Sequence, residues 1–134
     1  MSKKMWYSWE EMRRDVNVLC REIALDKFDP QVIVGISRGG LVPGVMMSHW
    51  FKKPFKPVIA SIRDFPEWNE YLPRKTDERV LIVDDICDSG KTFNKIASHI
   101  TGPKRNSPLE SPTEVRYCSL IWNNESIDFE PHYY

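Results

Sequence analysis

Several things are missing from this 134-residue chain, and each absence closes off a class of function. It has no net charge, because 19 Lys and Arg residues balance 19 Asp and Glu. The basic excess that draws a protein to a phosphodiester backbone is lacking, so nucleic acid is not expected as the main partner. No apolar run approaches the ~18 residues of a membrane span, and the opening MSKKMWYSWEE has no apolar signal core. The expectation is a soluble protein with no membrane partner. Cysteine is scarce: Cys20, Cys87 and Cys118 are odd in number, widely spaced and outside any CxxC. That pattern argues against a disulfide framework or a zinc site and for a reducing cytoplasm. His49 has no second His or Cys at metal spacing, so it reads as an ordinary histidine. There are no internal repeats, and the length fits one domain over residues 1–134, close to the minimum for a five-stranded α/β sheet.

What is present is concentrated in Arg79 to Phe93, RVLIVDDICDSGKTF. Val80 to Val83 lacks apolar/polar alternation, as expected of a parallel strand covered on both faces. Its carboxyl end is then Asp84 and Asp85. From Gly90 onward the period changes, with Phe93, Ile96, Ala97 and Ile100 on one face of a helix that Gly102 and Pro103 close. The unit is therefore strand, acidic tip, turn and helix. Asp88, Ser89, Gly90, Lys91 and Thr92 suit a phosphate cradle at a helix N-terminus. The upstream acids would repel that phosphate unless they serve sugar hydroxyls or a bridging Mg²⁺ on the same ligand. A nucleoside-triphosphate P-loop is excluded because the position five before Gly90 is Asp85 rather than glycine.

Earlier in the chain, Ser8 and Glu11 form a capping box, and Trp9, Met12, Val16, Leu19 and Ile23 follow at helical spacing to about Leu25. Gln31 to Ile36 reads as a buried strand ending in Ser37-Arg38-Gly39-Gly40. Paired glycines let backbone N–H groups approach an anion, and Arg38 adds a planar fork for phosphate oxygens. Taken alone, SRGG is what many glycine turns look like; beside the later loop it reads as a second phosphate site. Leu41 to Phe51 should be an apolar helix with Met46 and Met47 in the core, stopped at Lys52, Lys53 and Pro54. Val58 to Ile62 is the next expected strand. Residues 63–78, RDFPEWNEYLPRKTDE, have no sustained period and read as a long loop of the kind that serves as a lid. Val115 to Trp122 is expected as a further strand, and Ile127 to Phe129 as the start of another.

The thirteen-residue stretch VLIVDDICDSGKT resembles, nearly position by position, the phosphoribosyl pyrophosphate (PRPP) signature of type I phosphoribosyltransferases. Cys87 stands where that family usually has an aliphatic residue, and a free thiol packs as a small hydrophobe. SRGGLVPG is similar to the pyrophosphate loop and following helix of the xanthine-guanine branch, and YSWEEM to its N-terminal helix. The resemblance implies an α/β fold with a mostly parallel sheet of four or five strands, flanking helices and a flexible loop over the site at 63–78. It implies Mg²⁺-dependent transfer of the ribose 5-phosphate group of PRPP to a nucleobase, most simply a purine, with release of pyrophosphate. A homo-oligomer is compatible with it.

By the same resemblance, Ser37, Arg38, Gly39 and Gly40 hold pyrophosphate. Asp84 and Asp85 take the ribose hydroxyls, with Asp85 on the metal. Asp88 to Thr92 hold the 5-phosphate, and Arg63 or Arg74 adds charge from the flexible loop, Arg63 being preferred because it lies next to the strand. Asp88 also faces the purine N7 as a proton acceptor, although Asp is equally a good helix cap. The family's purine-reading lysine falls on Asn123, and residues 123–134 offer only a remnant of the tryptophan-rich hood that stacks on the base. That shortfall keeps a second reading open, a PRPP- or nucleotide-binding regulatory or partner module with little transferase activity.

Overall fold

The computed structural model describes residues 8–37, 39–59, 79–87, 91–101, 114–122 and 129–134. Helix α1 spans Trp9–Leu25, and Ser8 caps it by accepting a hydrogen bond from the Glu11 N–H at 3.1 Å. Its apolar stripe buries Val16, Leu19, Cys20 and Ile23, as the spacing predicts. Strand β1 (Val32–Ser37), helix α2 (Leu41–Phe51) and strand β2 (Phe55–Ile59) follow. Strand β3 (Arg79–Cys87), helix α3 (Lys91–Thr101) and strand β4 (Glu114–Trp122) complete the regular elements among the described residues.

The strands form one parallel sheet in the order β2-β1-β3-β4. The β1–α2–β2 unit steps toward one edge and β3–α3–β4 toward the other. Right-handed crossovers in opposite directions must lie on opposite faces of a sheet. Accordingly α1 and α2 pack with Ile33, Leu81, Val83 and Cys118 on one face. Phe93 and Ile96 of α3 pack with Val34, Val80, Ile82 and Tyr117 on the other. Where the two units part, between β1 and β3, the sheet has its topological switch point, the place where such folds open a crevice at the carboxyl ends of the strands.

Two expected boundaries need correction. The second strand begins at Phe55 rather than Val58, because β2 is an edge strand and tolerates Pro57, which pairs in register with Gly35. The later part of that expectation, residues 60–62, lies outside the described residues, as do the loop 63–78 and residues 127–128. Strand β3 does not end at the acids but runs through them to Cys87, with Asp84 opposite Ser119 and Cys87 opposite Trp122. Apolar content marks only the part of a strand covered on both faces, so the polar continuation was not legible.

Phe129 to Tyr134 lie along the free edge of β4. Tyr133 pairs in parallel with Cys118, and the Tyr133 carbonyl accepts from the Ser119 N–H at 3.0 Å. Phe129 packs among Phe93 and Tyr117. At the amino end of the sheet the Tyr133 hydroxyl donates to Asp26 at 2.7 Å, and Arg116 bonds both groups with its guanidinium over the Phe28 ring. The Tyr133 hydroxyl, and after it Arg116, hold the Asp26 carboxyl below its usual range. This knot ties the last residues to the end of α1, at the pole opposite the carboxyl ends of the strands.

Helices α1 and α2 both end in a left-handed residue that is not glycine: Lys27 (φ 60°) and Lys52 (φ 57°). Each is closed by the same pair of bonds, Phe28 N–H to Ile23 O and Lys27 N–H to Ala24 O, then Lys53 N–H to Ser48 O and Lys52 N–H to His49 O. A β-carbon is strained in this conformation. Lys27→Gly and Lys52→Gly should each stabilise the fold by about 0.5–1 kcal/mol in urea unfolding. A loss of stability at either position would refute the assignment of strain.

Candidate active site at the switch point

The crevice is built by a backbone approach that only glycine permits. A β-carbon on Gly40 would overlap the carbonyl oxygen of Val83, and one on Gly39 would overlap the carboxylate of Asp85. The turn after β1 is thus pressed onto β3 at the level where the β1–β3 ladder ends, with Gly35 opposite Val83. Two segments separated by some forty positions in the chain meet here, the glycines of SRGG and the acids of the DDxxD stretch. The register of two buried parallel strands sets that meeting.

Both acids are half-buried. The Asp85 N–H donates to Asp84 Oδ1 at 2.8 Å, and the Ile86 N–H donates to Asp85 Oδ1 at 2.8 Å. Burial above all, and then the neighbouring Asp85 carboxyl, push Asp84 up to about 7, against the opposing pull of the Asp85 N–H. The pair is therefore poised to ionise fully when a cation or hydroxyl donors arrive.

Two helices open toward this end of the sheet, and neither carries an acid in its first turn. Helix α2 starts on Gly40 with no side chain capping it, and α3 starts at Lys91 and Thr92. The dipoles of both helices favour anions at these ends. The acids between them favour cations and hydroxyls, so the crevice suits a ligand carrying both kinds of group.

Of the residues singled out from the sequence, Gly39, Gly40, Asp84 and Asp85 are brought together, Ser37 ends β1 beside them, and Lys91 and Thr92 begin α3. Arg38, Arg63, Asp88, Ser89, Gly90 and Asn123 lie outside the described residues. Two neighbours escaped the sequence reading. Ile86 follows the acids and is 48% exposed, a large apolar side chain at the tip of β3. Ser119 lies opposite Asp84 and is fully buried. Neither carries a signal at the level of pattern, since each looks like an ordinary strand residue.

The raised Asp84 has a consequence for stability. The folded protein holds this proton more tightly than the unfolded chain, so the linked stabilisation is complete below pH 3.8 and is lost as pH rises through about 7. Through this group alone the ligand-free protein should lose stability as pH rises through about 7, while Asp26, held low, acts in the opposite sense at the acid end. Asp84→Asn should flatten that profile and raise Tm above neutrality by on the order of 5 °C. Calorimetric melting across pH checks it, and a variant that melts lower than the parent above neutrality would contradict it.

The phosphoribosyl transferase domain matches residues 2–133. Among solved structures the chain is similar to a purine phosphoribosyltransferase from Pyrococcus horikoshii Ot3, at 23% identity, covering 97% of this chain and 84% of that one, with a TM-score of 0.72. It is similar to a Helicobacter pylori xanthine-guanine-hypoxanthine phosphoribosyltransferase at 17% identity, covering 95% and 82%, with a TM-score of 0.68. A hypothetical protein from Neisseria gonorrhoeae with bound ppGpp superposes with a TM-score of 0.74 at 18% identity, covering 99% of this chain and 81% of that one. Structural likeness at these identities speaks to the fold, and the domain match takes in nearly the whole sequence. The chain belongs to the phosphoribosyltransferase family and has its type I fold.

Proposed function

We propose that residues 1–134 act as one unit that transfers the ribose 5-phosphate group of PRPP to a purine base, releasing pyrophosphate. The observation that carries this reading is the meeting of Gly39 and Gly40 with Val83 and Asp85 at the switch point. A glycine turn, an acid pair and a helix N-terminus near one another support this reading, because a sugar bearing phosphates at two positions requires that combination. The purine preference is supported by the names of two similar structures, which are purine enzymes.

In this reading Ser37, Arg38, Gly39 and Gly40 hold the pyrophosphate as negative charge builds on it, Gly40 through its close backbone approach, since its N–H already donates to the Ile36 carbonyl at 2.8 Å. Asp84 and Asp85 accept from the ribose hydroxyls. Asp88 to Thr92 cradle the 5-phosphate, Arg63 closes on the ligand from the loop, and Asp88 accepts the purine N7 proton. Asn123 reads the base edge with one donor and one acceptor where a lysine would offer donors alone. The exposed Ile86 gives a planar base an apolar surface. The acid pair fits Mg²⁺, which is commonly held by one or two carboxylates together with substrate phosphates. When bound there, the cation would neutralise charge on the departing pyrophosphate. Three free, buried cysteines support a reducing cytoplasm as the working compartment.

A second reading has its own support. The Neisseria structure, with ppGpp bound, indicates that this fold accommodates a polyphosphorylated nucleotide. A PRPP- or nucleotide-binding module with little transferase activity would have the same crevice and lack turnover.

Calorimetry should find PRPP binding that needs Mg²⁺, with Asp85→Asn and Arg38→Ala each weakened at least ~10-fold, as expected for lost charge-assisted bonds. Equal affinity in EDTA would sink the assignment. Pyrophosphate release across a panel of bases separates the readings, because the binding module alone would give none with any base.

If turnover is seen, Asp88→Asn should lower kcat by ~10² to 10⁴ while PRPP still binds. A smaller loss accompanied by a lower Tm would make Asp88 a helix cap instead.

A further inference from the structure

Ser119 is fully buried, and its hydroxyl has no hydrogen-bond partner among the described residues. Buried polar groups are nearly always paired, so an unpaired one calls for a physical reason. Its position supplies one. Ser119 and Asp84 are register partners on adjacent parallel strands. Side chains alternate across a strand. Tyr117 packs with α3 and Cys118 with α1 and α2, which returns Ser119 to the α3 face. On β3, Val80 and Ile82 also belong to that face, and alternation puts Asp84 there with them. Paired residues on neighbouring strands lie about 4.8 Å apart. A serine hydroxyl and an aspartate carboxylate on one face can then meet by rotation about χ1.

Asp84 has room for this bond. One of its oxygens accepts from the Asp85 N–H, and a carboxylate offers about four acceptor sites. Elsewhere on the same face Ser119 meets apolar neighbours, with Ile82 and Tyr117 preceding the pair along their strands.

We propose that Ser119 is a positioning residue for the acid pair, its hydroxyl donating to the Asp84 carboxylate and fixing that carboxylate toward the ribose hydroxyls when PRPP and Mg²⁺ are bound. This rests on the PRPP reading of the crevice. Ser119 touches no substrate and acts only through Asp84. In the ligand-free protein the hydroxyl is idle, and it is engaged once the carboxylate turns to its ligand.

This role separates stability from binding. Removing an unpaired buried hydroxyl should leave the ligand-free fold as stable as before or more so, whereas removing a donor to a charged acceptor should weaken the bound state. Ser119→Ala, and the similarly shaped Ser119→Cys with its weak donor, should keep or raise Tm without ligand. Both should weaken calorimetric binding of PRPP with Mg²⁺ roughly ten-fold. Because the effect passes through Asp84, adding Ser119→Ala to Asp84→Asn should cost no further affinity, a double-mutant cycle with strong coupling. Losses that multiply in the double variant, or single variants that melt lower and bind normally, would overturn the role of Ser119 while leaving the PRPP reading standing. A parent protein that fails to bind PRPP with Mg²⁺ would overturn both.

Discussion

The contact between the Gly40 backbone and the Val83 carbonyl is the constraint on which the rest of the site depends. A parallel sheet whose two halves are wound in opposite directions opens at the switch point, but opening alone makes only a gap. Here the turn leaving β1 is drawn down until peptide lies on peptide, and Gly39 rests against the Asp85 carboxylate. No side chain fits between them. The glycine turn therefore faces the acid pair at close range, each held by a strand that is buried on both faces. The packing that fixes those strands, with Val34, Leu81, Ile82 and Val83 fully buried, also fixes the distance between the walls.

Such a site is built against the stability of the empty protein. Burial, and then the neighbouring Asp85 carboxyl, drive Asp84 up to about 7. An unpaired Ser119 hydroxyl sits on the next strand. Both features are unfavourable in the ligand-free protein. Strain of this kind is usual where a fold has been shaped for binding. The compensation lies at the other pole, where Arg116, Asp26 and Tyr133 join β4, α1 and the C-terminal residues. The division resembles other α/β folds, in which one end of the sheet carries chemistry and the other stability.

The residues between β4 and the end of the chain also bear on what the crevice accepts. Trp122 lies at the tip of β4, its indole N–H donating to the Phe129 carbonyl at 3.3 Å and its ring against Tyr134. The described part of the C-terminal stretch is thus drawn along the edge of β4, where it covers backbone that would otherwise be an exposed sheet edge. Ile86 stays exposed at the tip of β3.

Much of this was legible in the sequence, for reasons that can be named. The periodicity of Trp9 to Leu25, the capping box at Ser8 and Glu11, and the apolar runs of β1, β3 and β4 are local properties, and local physics is written residue by residue. The two glycine-bearing motifs were legible as anion sites because only backbone freedom and free N–H groups explain those residue types at a strand end. Tertiary structure decided the rest. That β3 continues through Asp84 to Cys87, that Ser119 falls opposite Asp84, and that Tyr133 closes onto Asp26 depend on the register and position of segments distant in the chain. Register is settled by the packing of both sheet faces at once, a property of the assembled core that no stretch of sequence carries alone.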